Sequence, residues 1–315
     1  MFWSTPLFFG WCCWLSAKVF RGRFAPSPTG EMHLGNARTA LLAWLQARAN
    51  QGAFVLRLED LDTTRVRHGA ADQILSDLEW LGLDWDEGWD IGGAFAPYIQ
   101  SERLDLYAQY AARLETYRCS CSRKEIQEAA SAPHGLEPRY LGTCRGRQTH
   151  NRPTAWRWCV PDLEMEFTDG FCGRFVENVQ KTIGDFVIRR QDGAWAYQLA
   201  CVVDDLEMQI SDVLRGADLL SSTARQIMLY HEFGAVVPRF FHVPLLTNHS
   251  GQRLAKRDHA TSLKTLRQAG IKPQELLYEL AQSLGWQVGS PCQPIDLLEP
   301  FSAWCKSQLP EVSSG

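Results

Sequence analysis

Val19-Phe20-Arg21-Gly22-Arg23-Phe24-Ala25-Pro26-Ser27-Pro28-Thr29-Gly30-Glu31-Met32-His33-Leu34-Gly35-Asn36 is the stretch on which the fold turns. Its first seven residues alternate in part and are stopped by Pro-Ser-Pro-Thr-Gly, the pattern of a strand that runs into a loop. From His33 to Ala49 the apolar residues Leu34, Ala37, Leu41, Leu42 and Leu45 recur at helical spacing, and Asn50-Gln51-Gly52 supplies a stop. Ala53 to Leu58 then predicts a second strand leading to Glu59-Asp60-Leu61-Asp62, followed by a helix marked by Ile74, Leu75, Leu78 and Leu81. Strand, helix, strand, helix is the opening of an α/β, Rossmann-like, doubly wound parallel sheet. At the first strand-to-helix junction, backbone N–H groups and the helix dipole favour an anion such as a triphosphate. His33 can donate to a phosphate there, and Gly35 leaves room for a base or ribose against the backbone. Neither a Walker A sequence nor G-x-G-x-x-G is present, which argues against those NTPase and dinucleotide sites.

Working outward, a helix is expected from Ser101 to about Tyr117, after which 118–153 turns irregular and rich in Cys, Arg, Gly and Pro. Residues 154–197 read as β-rich (Trp156 to Val160, Phe186 to Ile188, Trp195 to Tyr197), with Gln191-Asp192-Gly193 as a hairpin turn. Helix and strand resume over 198–246. The expected organisation is a leader at 1–18, the first half of a nucleotide-binding domain at 19–117, an insertion at 118–197, the second half at 198–257, and a helical region at 258–315. A chain of 315 residues and 35.7 kDa has room for about two domains. That length excludes a disulfide-stapled miniature, and 45% hydrophobic residues exclude a disordered chain. With Lys+Arg 32, Asp+Glu 36 and net charge −4, no global basic field points to nucleic acid or membrane, so any such partner must meet a local patch. The ten cysteines are dispersed as in a reduced, cytoplasmic enzyme. The uncharged start, with the apolar stretch Leu7 to Leu15, is too short to cross a bilayer and lacks a basic flank. It is expected to be a disordered leader or a start site placed too early, with a divergent signal peptide as the alternative.

Cys119-Ser120-Cys121 with Cys144 gives a C-x-C…C set inside the irregular insertion, a spacing suited to tetrahedral zinc in a loop without its own core. His134, Tyr140 and His150 are the nearby candidates for a fourth ligand, and metal-free thiols are the alternative. A closed ligand set makes the role structural.

Arg253-Leu254-Ala255-Lys256-Arg257 presents three cations in a polar loop after the strand Phe241 to Leu246. Together with the His33-Leu34-Gly35-Asn36 helix start, it resembles the paired HIGH and KMSKS signatures of class I aminoacyl-tRNA synthetases, over residues 20–285. Asn36 replaces the final His of the first signature; Arg253 and Ala255 replace the first Lys and first Ser of the second. Lys256 stands at the second lysine. The resemblance implies adenylate formation, in which a carboxylate attacks the α-phosphate of ATP, accompanied by Mg, and releases pyrophosphate while cations stabilise the developing charge. It assigns His33, Gly35, Asn36 and Lys256 to ATP.

Arg23-Phe24-Ala25-Pro26-Ser27-Pro28-Thr29-Gly30 with Leu56-Arg57-Leu58-Glu59-Asp60-Leu61-Asp62-Thr63-Thr64-Arg65 resembles the glutamate-specific branch of that class. Glutamate offers two carboxylates and an ammonium, so its pocket needs arginines for the former and an acid for the latter. The resemblance implies a glutamate site of Arg23, Phe24, Ala25, Pro26, Ser27, Glu59, Tyr197 and Arg215, with Arg215 on the side-chain carboxylate and Glu59 on the α-ammonium. Through Pro138 to Cys144 it also implies Tyr140 as the fourth zinc ligand. Since only a short helical region follows Arg257, without room for a full anticodon-binding domain, the chain is similar to the truncated paralogues that activate glutamate without tRNA and attach it to the queuosine base in the anticodon of tRNA(Asp). A minimal enzyme charging tRNA(Glu) and a non-catalytic tRNA-binding pseudoenzyme are the alternatives. Arg139, Arg145, Arg147, Arg152 and Arg157, in a stretch without Asp or Glu, form a candidate RNA-binding patch. No membrane partner is expected.

Overall fold

The structure, a computed structural model, describes residues 20–130, 138–147, 151–246 and 262–308. The leader 1–18 lies outside them. The first strand, β1 (Arg21–Phe24), is followed by helix α1 (Leu34–Ala49), strand β2 (Ala53–Leu56), α2 (Ala70–Trp80) and α3 (Leu104–Ala111). Next come β3 (Thr116–Cys119), α4 (Arg123–Ala130), the strands β4 (Ala155–Trp158), β5 (Met165–Asp169) and β6 (Gly173–Glu177), the single turn α5 (Val179–Thr182) and β7 (Val187–Arg189). The chain then forms α6 (Tyr197–Glu207), β8 (Asp212–Gly216), α7 (Thr223–Glu232), β9 (Arg239–Val243), α8 (Leu263–Gln268), α9 (Pro273–Gln282) and α10 (Leu298–Gln308).

The main sheet has the order β2-β1-β8-β9, and every neighbouring pair is parallel. Its two central strands come from distant parts of the chain, with Gly22 opposite Asp212. Between β2 and β8 the chain builds a separate antiparallel sheet, β3-β4-β7, and the hairpin β5-β6. Parallel strands buried on both faces require helices on both sides: α1 covers one face, and α6 and α7 pack with Val55, Val213 and Phe240 on the other. Besides the stripe of Leu34, Ala37, Leu41, Leu42 and Leu45, α1 buries Ala40, Ala43, Trp44 and Ala47. Its second face packs in the cluster that contains Leu277, Leu280, Trp286, Leu297 and Phe301 from the C-terminal region.

Several elements differ from the sequence expectation. Regular pairing of β2 stops at Leu56, and Leu58 pairs only in an isolated bridge with Ile99, so Arg57 and Glu59 leave the strand at its carboxyl end. The helix after Ser101 ends at Ala111, and Tyr117 lies in β3. Trp195 makes a single antiparallel bridge to Arg189, whereas Tyr197 opens α6 instead of ending a strand. Its apolar run continues into a buried helix, and apolar content alone does not separate the two. Helix α4 has no counterpart in the sequence expectation, whereas α8, α9 and α10 fall in the region 258–315 expected to be helical. Among the described residues, no helix is long and apolar enough to cross a membrane.

Candidate functional site

At the carboxyl edge of the parallel sheet, where open α/β folds bind ligands, β1 delivers Arg23 and β8 delivers Arg215. The loop after β2 is drawn against the one after β1, with Arg57 N–H donating to Phe24 O at 3.0 Å and Glu59 N–H to Pro26 O at 3.0 Å. Beneath these residues lies a buried charge network. Asp205 of α6 accepts from Arg23 Nε at 3.1 Å and from Arg57 Nη1 at 2.6 Å. Arg57 also donates to Glu59 Oε1 at 3.1 Å and faces Asp204 at 3.7 Å. Asp204 in turn accepts from Arg103 Nε at 2.7 Å, Gln100 at 2.8 Å and Tyr107 Oη at 2.9 Å. The Arg57 side chain has no solvent exposure. Burial alone would favour neutral forms, but Arg23 and Arg57 hold the Asp205 carboxyl below the usual range. Burial pushes Glu59 up, against the opposing pull of Arg57. The network fixes the backs of Arg23 and Glu59 and largely neutralises Arg23.

Arg215 is held differently. Its Nε donates to His242 Nε2 at 2.9 Å, Nη1 to Gln226 Oε1 at 2.7 Å and Nη2 to Thr223 Oγ1 at 3.0 Å. Two longer contacts, to Tyr197 Oη at 3.4 Å and Leu219 O at 3.3 Å, complete its set. Each of these acceptors is neutral, so the guanidinium keeps its charge for an incoming anion. The two long contacts are the weakest and the easiest for a carboxylate to replace. Tyr197 is half-buried, the desolvation of its hydroxyl raises its pKa, and it lies within the fields of Arg215, Glu59 and Arg23 together. The structure therefore brings Arg23, Glu59, Tyr197 and Arg215 to one place.

The tip of α1 borders an adjoining cleft whose lining includes Pro26, Ser27, Thr29, Gly30, His33 and Asn36. His33 occupies the N-cap, and a Cβ added to Gly35 would meet nothing within 4 Å, so open space stands over its backbone. Ser27 and Asn36 are exposed, whereas Phe24 and Pro26 are buried and Ala25 is partly so. Arg253, Leu254, Ala255, Lys256 and Arg257 lie outside the described residues. The flanks of their segment do not. Arg38 of α1 donates to Pro244 O just after β9, Leu263 N–H donates to Met32 O at 2.9 Å, and Ser262 bridges to His33. A salt bridge from Lys264 to Glu31 at 3.3 Å adds to this seam. The chain thus leaves and re-enters the described structure against the helix that carries His33.

In the insertion, the sulfurs of Cys119, Cys121 and Cys144 lie within 4.8 Å of one another. Cys121 and Cys144 are 3.5 Å apart, and Tyr140 Oη is 3.3 Å from Cys119 Sγ and 4.0 Å from Cys121 Sγ. Tetrahedral zinc with Zn–S bonds of ~2.3 Å separates its sulfurs by about 3.8 Å, so the donor set and its spacing fit such an ion. Burial and the neighbouring thiols push Cys121 up to about 12, a repulsion that a bound dication would reverse. His134 and His150 lie outside the described residues. Tyr140 is fixed by its N–H bond to Ile183 O at 2.7 Å and by Gly184, where φ is +76° and a Cβ would lie 2.0 Å from Tyr140 O.

Two arginines of the arginine-rich stretch support this centre. Arg157 is buried, stacks over the Tyr140 ring at 3.8 Å and donates to Asp185 O, and Arg145 grips the Asp185 carboxylate. Arg152 pairs with Glu125, Arg139 with Gln180, and Arg147 is exposed. The five do not form one free patch. The residues missed by sequence reasoning are those beneath the pocket: Asp204, Asp205, Arg103, Gln226, Thr223 and His242. A signal existed for two of them, because Asp204-Asp205 interrupts an otherwise apolar buried helix.

Residues 19–301 match the family described as tRNA synthetases class I (E and Q), catalytic domain. The chain belongs to that family. Similar relatives are the glutamyl-Q tRNA(Asp) synthetases of Deinococcus radiodurans, 53% identical over 84% of this chain and 89% of that protein, and of Symbiobacterium thermophilum, 48% identical over 89% and 91%. Among solved structures, the glutamate–tRNA synthetase of Elizabethkingia anophelis superposes with a TM-score of 0.78 at 30% identity, covering 89% of this chain. The chain spans 65% of the length of that structure. Membership makes the protein an ATP-using aminoacyl-tRNA ligase on a class I α/β fold.

Proposed function

We propose that the protein activates L-glutamate with ATP, without needing tRNA, and transfers it to the queuosine base in the anticodon of tRNA(Asp). The observation that carries this reading is the 53% identity to a relative of that name across 89% of the relative's length. The glutamate α-carboxylate is ionised at neutral pH and needs no general base to attack the α-phosphate of ATP. In this reading Arg215 receives the side-chain carboxylate because its own acceptors are neutral, and Glu59, held by Arg57, pairs with the α-ammonium. Arg23 and the turn Phe24, Ala25, Pro26 and Ser27 close the pocket around the backbone of the substrate, and Tyr197 fills its wall. His33, Gly35 and Asn36 border the nucleotide, and Lys256 supplies charge to the leaving phosphates, with Mg accompanying ATP. Cys119, Cys121, Cys144 and Tyr140 hold one zinc ion, whose closed coordination would stabilise the insertion without taking part in the reaction. We place the reaction in the cytoplasm.

The test is glutamate-dependent ATP–pyrophosphate exchange without tRNA, followed by transfer of labelled glutamate to tRNA(Asp) with and without queuosine. Exchange without tRNA and transfer confined to the queuosine-bearing tRNA are expected. Exchange that demands tRNA(Glu) would assign the chain to ordinary charging instead, and absence of exchange at saturating glutamate and ATP would remove catalysis altogether.

A further inference from the structure

Beyond Arg215 the hydrogen bonds continue into a line of buried groups that reaches the insertion. His242 of β9 accepts from Arg215 Nε through Nε2, and its Nδ1 faces Asp169 Oδ2 at 2.6 Å. Both side chains have no solvent exposure. Asp169 closes β5, and its Oδ1 accepts three backbone N–H groups, from Phe171 at 3.0 Å, Cys172 at 2.9 Å and His242 at 3.1 Å. The hairpin comes close enough because residue 170 is glycine, where a Cβ would stand 2.3 Å from the Phe241 ring.

These contacts determine where the proton sits. Arginine cannot accept a hydrogen bond, so Nε2 of His242 must carry a lone pair, and an ionised carboxylate cannot donate, so Nδ1 must carry the hydrogen. Backbone donors and His242 offset the cost of burial and hold Asp169 in its charged form. Burial lowers the pKa of His242, and the cation of Arg215 opposes a second positive charge beside it. The contact of His242 with Asp169 is therefore a hydrogen bond of a neutral imidazole.

We propose that Asp169 and His242 are positioning residues for glutamate selection, locking one imidazole tautomer so that Arg215 presents its distal edge to the substrate side-chain carboxylate. The inference rests on the assignment of Arg215 to that carboxylate. Asp169→Asn keeps the shape but reverses one donor. If its amide turns to His242, the ring must become the Nε2–H tautomer and oppose the Arg215 N–H; if it turns the other way, it opposes three backbone N–H groups. His242→Phe removes the acceptor, and His242→Gln restores a carbonyl oxygen at the position of Nε2.

The experiment measures tRNA-independent exchange for the full-length chain and these three variants, varying glutamate and ATP separately. Asp169→Asn and His242→Phe should raise the glutamate KM at least about tenfold while the ATP KM stays within about twofold, with partial recovery in His242→Gln. A role confined to stability would lower the amount of active protein and leave both KM values alone. Exchange in the wild type with unchanged glutamate KM in Asp169→Asn and His242→Phe overturns this inference alone, whereas a wild type that exchanges without regard to glutamate overturns the reading beneath it as well. The ring nitrogens give a check that needs no substitution. Long-range proton–nitrogen NMR of the wild type should find His242 as the neutral Nδ1–H tautomer at neutral pH, and finding the Nε2–H form or an imidazolium overturns the proposal.

Discussion

Asp205 sits between two guanidinium groups, that of Arg23 at the proposed pocket and that of Arg57 buried beneath it. Removing one member of a buried ion pair leaves an uncompensated charge, at a cost of about 3–5 kcal/mol. Asp205→Ala should therefore lower the unfolding free energy by an amount in that range, measured by urea denaturation, and an unchanged value would show that Asp204 and Glu59 compensate fully. Glu59 yields a prediction of opposite sign in pH. Burial raises its pKa, so the folded protein holds that proton at a pH where the unfolded chain has released it. Its contribution to stability therefore falls as pH rises through the window above ~4.3, the unperturbed glutamate value. Pairing with an ammonium needs the anion, so glutamate affinity changes the other way and is lost as pH falls through the raised value. The glutamate KM should begin to climb on acidification before the carboxylates of the substrate itself titrate, while the ATP KM stays level over the same interval; a glutamate KM that is flat down to ~4.3 would exclude Glu59 as the ammonium partner.

At the scale of elements, β1 and α1 were legible because an alternating strand, a proline-glycine stop and a helical apolar stripe all agree locally. The same local logic misread Trp195-Ala196-Tyr197, where the choice between strand and helix depends on burial against neighbours remote in sequence. Arg23, Glu59, Tyr197 and Arg215 could be named from their motifs. His242 and Asp169 could not, because their meaning comes from the contact of β9 with a hairpin some 70 residues away in sequence. The cysteine centre shows the local case again, with a detail the spacing does not carry. Gly184 adopts φ +76° directly against the Tyr140 backbone, so Gly184→Ala must move the chain that positions Tyr140. Metal analysis should find about one zinc per wild-type molecule and less in Gly184→Ala and Cys144→Ser. Full zinc content in Cys144→Ser would remove that thiol from the ligand set.

Across the whole molecule, the C-terminal helix is part of the catalytic body. Trp304 of α10 packs on Phe171 from the turn of the β5-β6 hairpin at 4.6 Å between ring centroids, and Phe171 meets Phe241 of β9 at 5.4 Å. Phe301, 2% exposed, faces Trp286 and lies in the cluster that covers α1. Phe301→Ala should cost about 3–5 kcal/mol, read as a fall in the denaturation midpoint, and a much smaller loss would mean that α10 docks only loosely. The pairing of β1 with β8 has a consequence of another kind. Arg23 and Arg215 stand on neighbouring strands, yet 192 positions separate them along the chain. During synthesis on the ribosome, a nascent polypeptide that has not yet released β8 and β9 owns only one side of the amino-acid cleft. Whatever β1 and α1 have formed by then must wait, open-edged, for a late and distant strand to dock.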